Sequence, residues 1–230
     1  MSSVVIIPAL NEAGNIGPLV RETLAQPCLH DGDLVIVVDN GSTDATASLA
    51  EDAGAVVVSE PRRGYGYACA AGAFAAPDST EHLVFLDGDY SSLPSELDRL
   101  LEPLRTGQAG LVLGSRTRGH IAAGSMPPHQ RFGNWLTSRL MQQLYQIEVT
   151  DLGPYRAIRR SLLQELEMKE MTFGWPTEMM VKSARRGIHI LEVPVSHQPR
   201  RSGHSKVSGT IKGSVLAAYY ILSVTFRYAF

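Results

Sequence analysis

Two aspartates flanking one glycine, Asp87-Gly88-Asp89, directly follow the apolar run Leu83-Val84-Phe85-Leu86, so the end of a buried strand delivers both carboxylates to one place. Hard cations such as Mg²⁺ favour carboxylate and phosphate oxygens, and the glycine lets the turn tighten enough to present the pair together. Alone, Asp-Gly-Asp is also ordinary turn chemistry. Two further clusters supply context. Asp39-Asn40-Gly41-Ser42-Thr43-Asp44 follows the run Leu34 to Val38 and opens a helix. A cap at Ser42 or Thr43 explains part of that segment. It leaves Asp39, a strand-end carboxylate able to accept from a ribose or base, unexplained. Pro8-Ala9-Leu10-Asn11-Glu12 follows Val4 to Ile7 and offers backbone groups and a carboxylate for the same purpose. Arg62-Arg63-Gly64-Tyr65-Gly66-Tyr67 sets two guanidiniums before a glycine-bearing helix start, which suits phosphate. No Walker lysine motif is present.

These clusters need a frame that brings strand ends together. Apolar, β-branched runs recur at Val4 to Ile7, Leu34 to Val38, Ala55 to Val58, Leu83 to Leu86 and Leu111 to Leu113. Segments of helical spacing separate the first four, the βαβ rhythm of an α/β fold with a mostly parallel sheet flanked by helices. In open α/β sheets ligands bind at the carboxyl ends of strands, so the three clusters are expected to share one crevice. Beyond Gly114, the Gly-, Ala- and Pro-rich stretch Gly119 to Pro128 reads as a loop able to close over a ligand. Helices are expected over Phe132 to Tyr145 and Pro176 to Arg186, with a strand over Ile188 to Val195. The final segment, 209–230, has an uncharged stretch only from Gly213 to Phe226, shorter than the ~20 apolar residues of a spanning helix. It reads as an amphipathic helix that either lies in a membrane interface or packs on the domain formed by 1–208.

Composition sets bounds. The chain has 230 residues, 44% of them apolar and 19% charged, which supports one globular core. A net charge of -2 gives no global reason for nucleic-acid binding, although Arg200-Arg201 to Lys206 forms a local basic run. Cys28 and Cys69 lack metal-ligand spacing and read as thiols of a reducing compartment. The histidines lack metal-ligand spacing as well and read as surface or core residues, and Trp135 and Trp175 as packing.

Ile6-Ile7-Pro8-Ala9-Leu10-Asn11-Glu12, Asp39 to Asp44 and Phe85-Leu86-Asp87-Gly88-Asp89, in that order, resemble family 2 glycosyltransferases of the GT-A (Rossmann-like) fold. Asp151-Leu152-Gly153-Pro154-Tyr155-Arg156, Phe173 to Met179, Glu192 to Val195 and Arg200 to Lys206 are similar to the polyprenyl-phosphate branch, the dolichol-phosphate mannosyltransferase-like enzymes. The resemblance implies an inverting, single-displacement transfer of a sugar from a UDP- or GDP-sugar to polyprenyl phosphate. It implies that Pro8, Ala9, Asn11, Glu12, Asp39, Gly41, Ser42, Asp44, Arg63, Asp87 and Gly88 contact the donor. Asp87 and Asp89 would then hold Mg²⁺ or Mn²⁺ at its diphosphate. Arg116, Arg131, Arg201 and Lys206 would hold the acceptor phosphate and the leaving diphosphate. The chain departs from the branch at Tyr90-Ser91-Ser92-Leu93-Pro94, where a polar residue such as Gln is common, and this leaves a third metal ligand open. It also lacks the C-terminal membrane domain of longer relatives. Contact with a lipid acceptor, at the cytoplasmic face of the membrane, is therefore expected from the last helix and the Gly119 to Pro128 loop.

A phosphate monoester is already nucleophilic at neutral pH and needs aiming rather than a strong base. A hydroxyl acceptor would need a carboxylate base, for which Asp151 and Glu178 are the candidates. Transfer to a soluble hydroxyl or phosphate acceptor, and a silent nucleotide-sugar-binding protein, are the competing readings. The sugar and the base are set by pocket shape, which the sequence does not reveal.

Overall fold

The computed structural model describes residues 2–203 and 211–229. Seven strands form one sheet in the order β3-β2-β1-β4-β6-β5-β7. They are β1 (Ser2–Ala9), β2 (Leu34–Asp39), β3 (Val56–Ser59), β4 (Thr80–Phe85), β5 (Leu111–Ile121), β6 (Arg156–Arg159) and β7 (Ile190–His197). β6 runs antiparallel to both neighbours and the other pairs are parallel. Period-two alternation divides the apolar side chains between two cores. Val5, Ile7, Val35 and Val37 pack against α1 (Ile16–Leu24), α2 (Thr46–Asp52) and α4 (Leu97–Arg105). Val4, Ile6, Ile36 and Val38 face α3 (Tyr65–Ala75), α6 (Arg160–Leu166) and α7 (Trp175–Arg185). Trp175 is buried, edge-on to Phe85 with ring centroids 4.8 Å apart, and packs as expected.

The register places Ala9 beside Asp39 and Ile6 beside Phe85, so the three sequence clusters emerge side by side at one end of the sheet. Three expectations are corrected. β5 continues through Arg116, Arg118 and His120 to Ile121 by pairing with β7 across a register break, so only the part of the supposed lid after Ile121 is loop. Helix α5 (Pro128–Tyr145) starts four residues before Phe132, with Pro at its first turn where a missing N–H costs nothing. On α5, Trp135 is 55% exposed beside Phe132, so it is not a packing residue.

Helix α8 (Ile211–Arg227) touches α5 and α7. Its last turns are fastened to the domain: Val224 is fully buried, the Tyr145 hydroxyl donates to Thr225 O at 2.6 Å, and the Tyr228 hydroxyl donates to Glu178 at 2.5 Å. Further toward its start three apolar side chains face solvent: Val215 and Tyr219 are 63% and 64% exposed and Leu216 is exposed as well. Among the described residues no helix is long and apolar enough to cross a membrane.

Candidate active site

At the ends of β1 and β2 the polar residues hold one another. Asn11, in the left-handed region at φ 52, accepts from Thr43 N at 2.8 Å, and its own N–H donates to Ser42 Oγ at 2.9 Å. Asp39 accepts from Ser42 N at 3.1 Å, and Asp44 accepts from Ala13 N at 3.2 Å. α2 begins later than the sequence suggests, and its start is served by Asp44, which accepts from Thr46 N at 3.0 Å, rather than by Ser42 or Thr43. Pro8 and Ala9 form the floor, with Ala9 O accepting from Asn40 N at 2.9 Å. The Arg63 guanidinium donates to Gly41 O at 2.8 Å, and the positive φ of 80° at Gly41 makes that tight bend. The Glu12 carboxylate is engaged by Asn15 at 2.7 Å and by Arg200.

Asp87 and Asp89 lie beside this frame. Gly88 lets the turn pass close to β1: a Cβ there would sit 3.1 Å from Pro8 O, tighter than an ordinary contact. The Tyr65 hydroxyl donates to Asp87 Oδ1 at 3.2 Å. Tyr65 is held there because α3 starts against the 170–171 backbone, where a Cβ on Gly64 would approach Met171 O to 2.4 Å. Burial and then the charge of Asp89 push Asp87 up to about 7, against the Tyr65 hydrogen bond and the charges of Arg116 and Arg156. Two carboxylates forced together in this way are under-neutralised, and a hard divalent cation answers that. Among the described residues no three His, Cys, Asp or Glu side chains form a complete cage. A carboxylate pair with open positions is how Mg²⁺ is bound when substrate phosphates complete its shell. His197, at the end of β7, is the nearby group the sequence did not single out; its Nδ1 is buried without a partner among the described residues, and it feels the charges of Arg116 and Asp89.

Two measurements check this geometry. Removing the hydroxyl in Tyr65→Phe frees Asp87 to rotate, and Mn²⁺ affinity read by electron paramagnetic resonance should weaken about tenfold, as for other groups that orient ligands. Because Asp87 must lose its proton to bind, Mn²⁺ affinity should also drop as pH falls through about 7. Without metal the sign reverses. A carboxyl raised in the folded state favours folding at pH below its unfolded value and loses that contribution as pH climbs through about 7.

The cations divide. Arg116 is locked to the fully buried Asp151 by two bonds of 2.8 and 2.7 Å, and Glu192 holds Asp151 N at 3.0 Å. The Arg201 guanidinium stacks over Tyr90, 5.2 Å from the ring centre, while its backbone N–H donates to the Asp89 carbonyl at 3.4 Å. Arg200 bridges Glu12 and Asp89, 4.0 Å from the latter, a role the sequence did not assign it. Arg131, on α5, lines a cavity of about 490 Å³ with Thr117, Ile121, Trp135, Ser138 and Val149. Lys206 lies outside the described residues. Neither proposed base is free. Burial works to raise Glu178, but bonds from Tyr228, Glu170 N, Lys182 and Lys169 N hold it below its usual range. Arg156, in the Asp151 to Arg156 motif, is fully buried; burial pulls it down to about 10, and its charge acts on Asp87.

Residues 4–167 match the family model described as glycosyl transferase family 2. A glycosyltransferase of Mycobacterium tuberculosis is 37% identical over 213 residues, covering 93% of each chain. The undecaprenyl-phosphate mannosyltransferase of Micrococcus luteus is 32% identical over 94% of this chain and 91% of its own. The polyprenol monophosphomannose synthase of Mycolicibacterium smegmatis is 29% identical over 90% of this chain and 82% of its own. Among solved structures, glucosyl-3-phosphoglycerate synthase from Mycobacterium tuberculosis, in complex with Mn²⁺, UDP and phosphoglyceric acid, superposes with a TM-score of 0.76 at 24% identity. That likeness covers 99% of this chain and 78% of the other, and it shows the shared GT-A fold.

Proposed function

The chain belongs to glycosyl transferase family 2, and from that premise we propose that it moves a hexose from a nucleoside diphosphate sugar to polyprenyl phosphate at a membrane surface. The observation that carries the acceptor is the largely apolar cavity of about 490 Å³ with Arg131 in its wall. Exposed Phe132 and Trp135 lie on the same helix, and that helix touches α8 with its exposed Val215, Leu216 and Tyr219. A cationic group at an apolar cavity suits a phosphate carried on a hydrocarbon chain. The names of the Micrococcus and Mycolicibacterium relatives support the same reading.

In this reading the β1 and β2 clusters bind base and ribose, and Asp87 and Asp89 would hold Mg²⁺ or Mn²⁺, which would supply charge neutralisation for the leaving diphosphate. Tyr65 orients Asp87, while Arg200 and Arg201 bring positive charge to the same turn. Arg131 aims the acceptor phosphate at the anomeric carbon. With Asp151 and Glu178 committed to structural bonds, a nucleophile that needs no base fits best.

Radiolabelled UDP- and GDP-sugars offered with polyprenyl phosphate, with and without chelator, test donor, acceptor and metal together. Labelled lipid that disappears with chelator is expected, and transfer to phosphoglyceric acid instead of lipid overturns the acceptor. The membrane contact has its own check. Val215→Ser, Leu216→Ser and Tyr219→Ser together should abolish cosedimentation with anionic vesicles and leave the melting temperature unchanged, because these side chains already face solvent.

A further inference from the structure

At the end of the sheet opposite the aspartate pair, a cavity of about 550 Å³ opens between the start of β4, the end of α4 and the junction of β6 with α6. Arg105, Arg159 and Arg160 line it, with Asp78 and Glu81 as its carboxylates, both on exposed residues. Two of the guanidiniums are committed. Arg105 donates to Cys28 O at 2.8 Å and lies 3.9 Å from Asp33; Arg160 holds the carbonyls of Ala76 and Pro77 and pairs with Asp78 at 3.1 Å. The Arg159 guanidinium has no hydrogen-bond acceptor among the described residues. Arg159 is the direct cross-strand partner of His82, so the two side chains project side by side from one face of the sheet.

His82 and Thr80 also line this cavity, each only 4% exposed, and both His82 Nδ1 and Thr80 Oγ1 lack a hydrogen-bond partner among the described residues. A buried polar atom left unpaired is costly, and native structures rarely keep two together without a use. The volume falls within the range of small-molecule sites. The lining is basic and forked, which favours a planar or tetrahedral oxyanion over an apolar guest.

We propose that this cavity is a second ligand site, separate from the donor crevice, for a phosphate monoester of sugar-phosphate size. The Arg159 guanidinium pairs with the phosphate, Arg105 adds charge from the opposite wall, and small turns of the His82 ring and the Thr80 side chain bring their unpaired atoms to the ligand. The site stands independently of the acceptor reading, since none of its residues belongs to the crevice.

The test uses the full chain, with the donor crevice filled by UDP and Mg²⁺, titrated with glucose 6-phosphate by calorimetry and by the ring signals of His82 in NMR. Saturable one-site binding with a shift of the His82 signals is expected. Arg159→Gln should weaken it at least tenfold, and Asp89→Ala should leave it unchanged. Should Arg159→Gln fail to fold, Thr80→Val, which keeps the side-chain shape, must weaken binding severalfold. Absence of saturable binding in the millimolar range overturns the site. Binding that survives Arg159→Gln and vanishes in Asp89→Ala assigns the signal to the crevice and overturns it equally. Arg159-dependent binding to phosphatidate vesicles, with none to glucose 6-phosphate, assigns the anion to a lipid headgroup and overturns the soluble ligand.

Discussion

Asp89→Ala is expected to reduce sugar transfer by about 10³-fold or more while the fold persists, because it removes half of the carboxylate pair at the point where leaving-group charge must be met. Asp89 is half-buried, its carboxylate accepting from Ser91 N at 3.0 Å and facing Arg200 at 4.0 Å, so its loss leaves no core cavity. It also removes the like charge that helps push Asp87 up, so Asp87 should titrate lower in the variant. Turnover with saturating Mn²⁺, beside a melting curve without metal, checks both halves. An active variant would sink the metal assignment, and an unfolded one would show that Asp89 is structural.

Deleting residues 211–230 should destabilise the protein by about 4 kcal/mol, combining roughly 2 kcal/mol for the bond from Tyr228 to a buried carboxylate with a similar amount for the burial of Val224. For a chain of this size that lowers the melting temperature by about 8–16 °C. The reason is Glu178, which is fully buried and shared between Lys182 at 2.9 Å and the Tyr228 hydroxyl. Loss of transfer on truncation therefore says little about lipid, whereas the Val215, Leu216 and Tyr219 substitutions separate membrane contact from folding. A truncated protein that melts like the intact chain would show that the clamp at Glu178 contributes nothing.

What the sequence disclosed follows from the range of its signals. The five apolar runs and three strand-end clusters are local patterns, and they mark five of the seven strands and the sheet end at which Asn11, Asp39 and Asp87 emerge side by side. The rest depends on partners distant in sequence. β5 beyond Leu113 carries Arg116, Arg118 and His120, and only pairing with β7 makes it strand. Tyr65 reaches Asp87 across 22 positions, Arg116 reaches Asp151 across 35 and Tyr228 reaches Glu178 across 50. No periodicity announces such contacts. The same holds for α8, whose composition fits membrane and domain equally; in the structure Val224 is buried against the domain, while Val215, Leu216 and Tyr219 face solvent.

The bridge from Arg200 to Glu12 spans 188 positions. On the ribosome, at about 5–20 residues per second, Glu12 waits on the order of ten to forty seconds for its partner to be made. Through that interval the β1, β2 and β4 turns can be in place while the carboxylates of Glu12, Asp87 and Asp89 face one another without Arg200. Closure of this bridge thus comes late in synthesis, and a chain released early carries the carboxylates of Glu12 and Asp89 without the arginine that joins them.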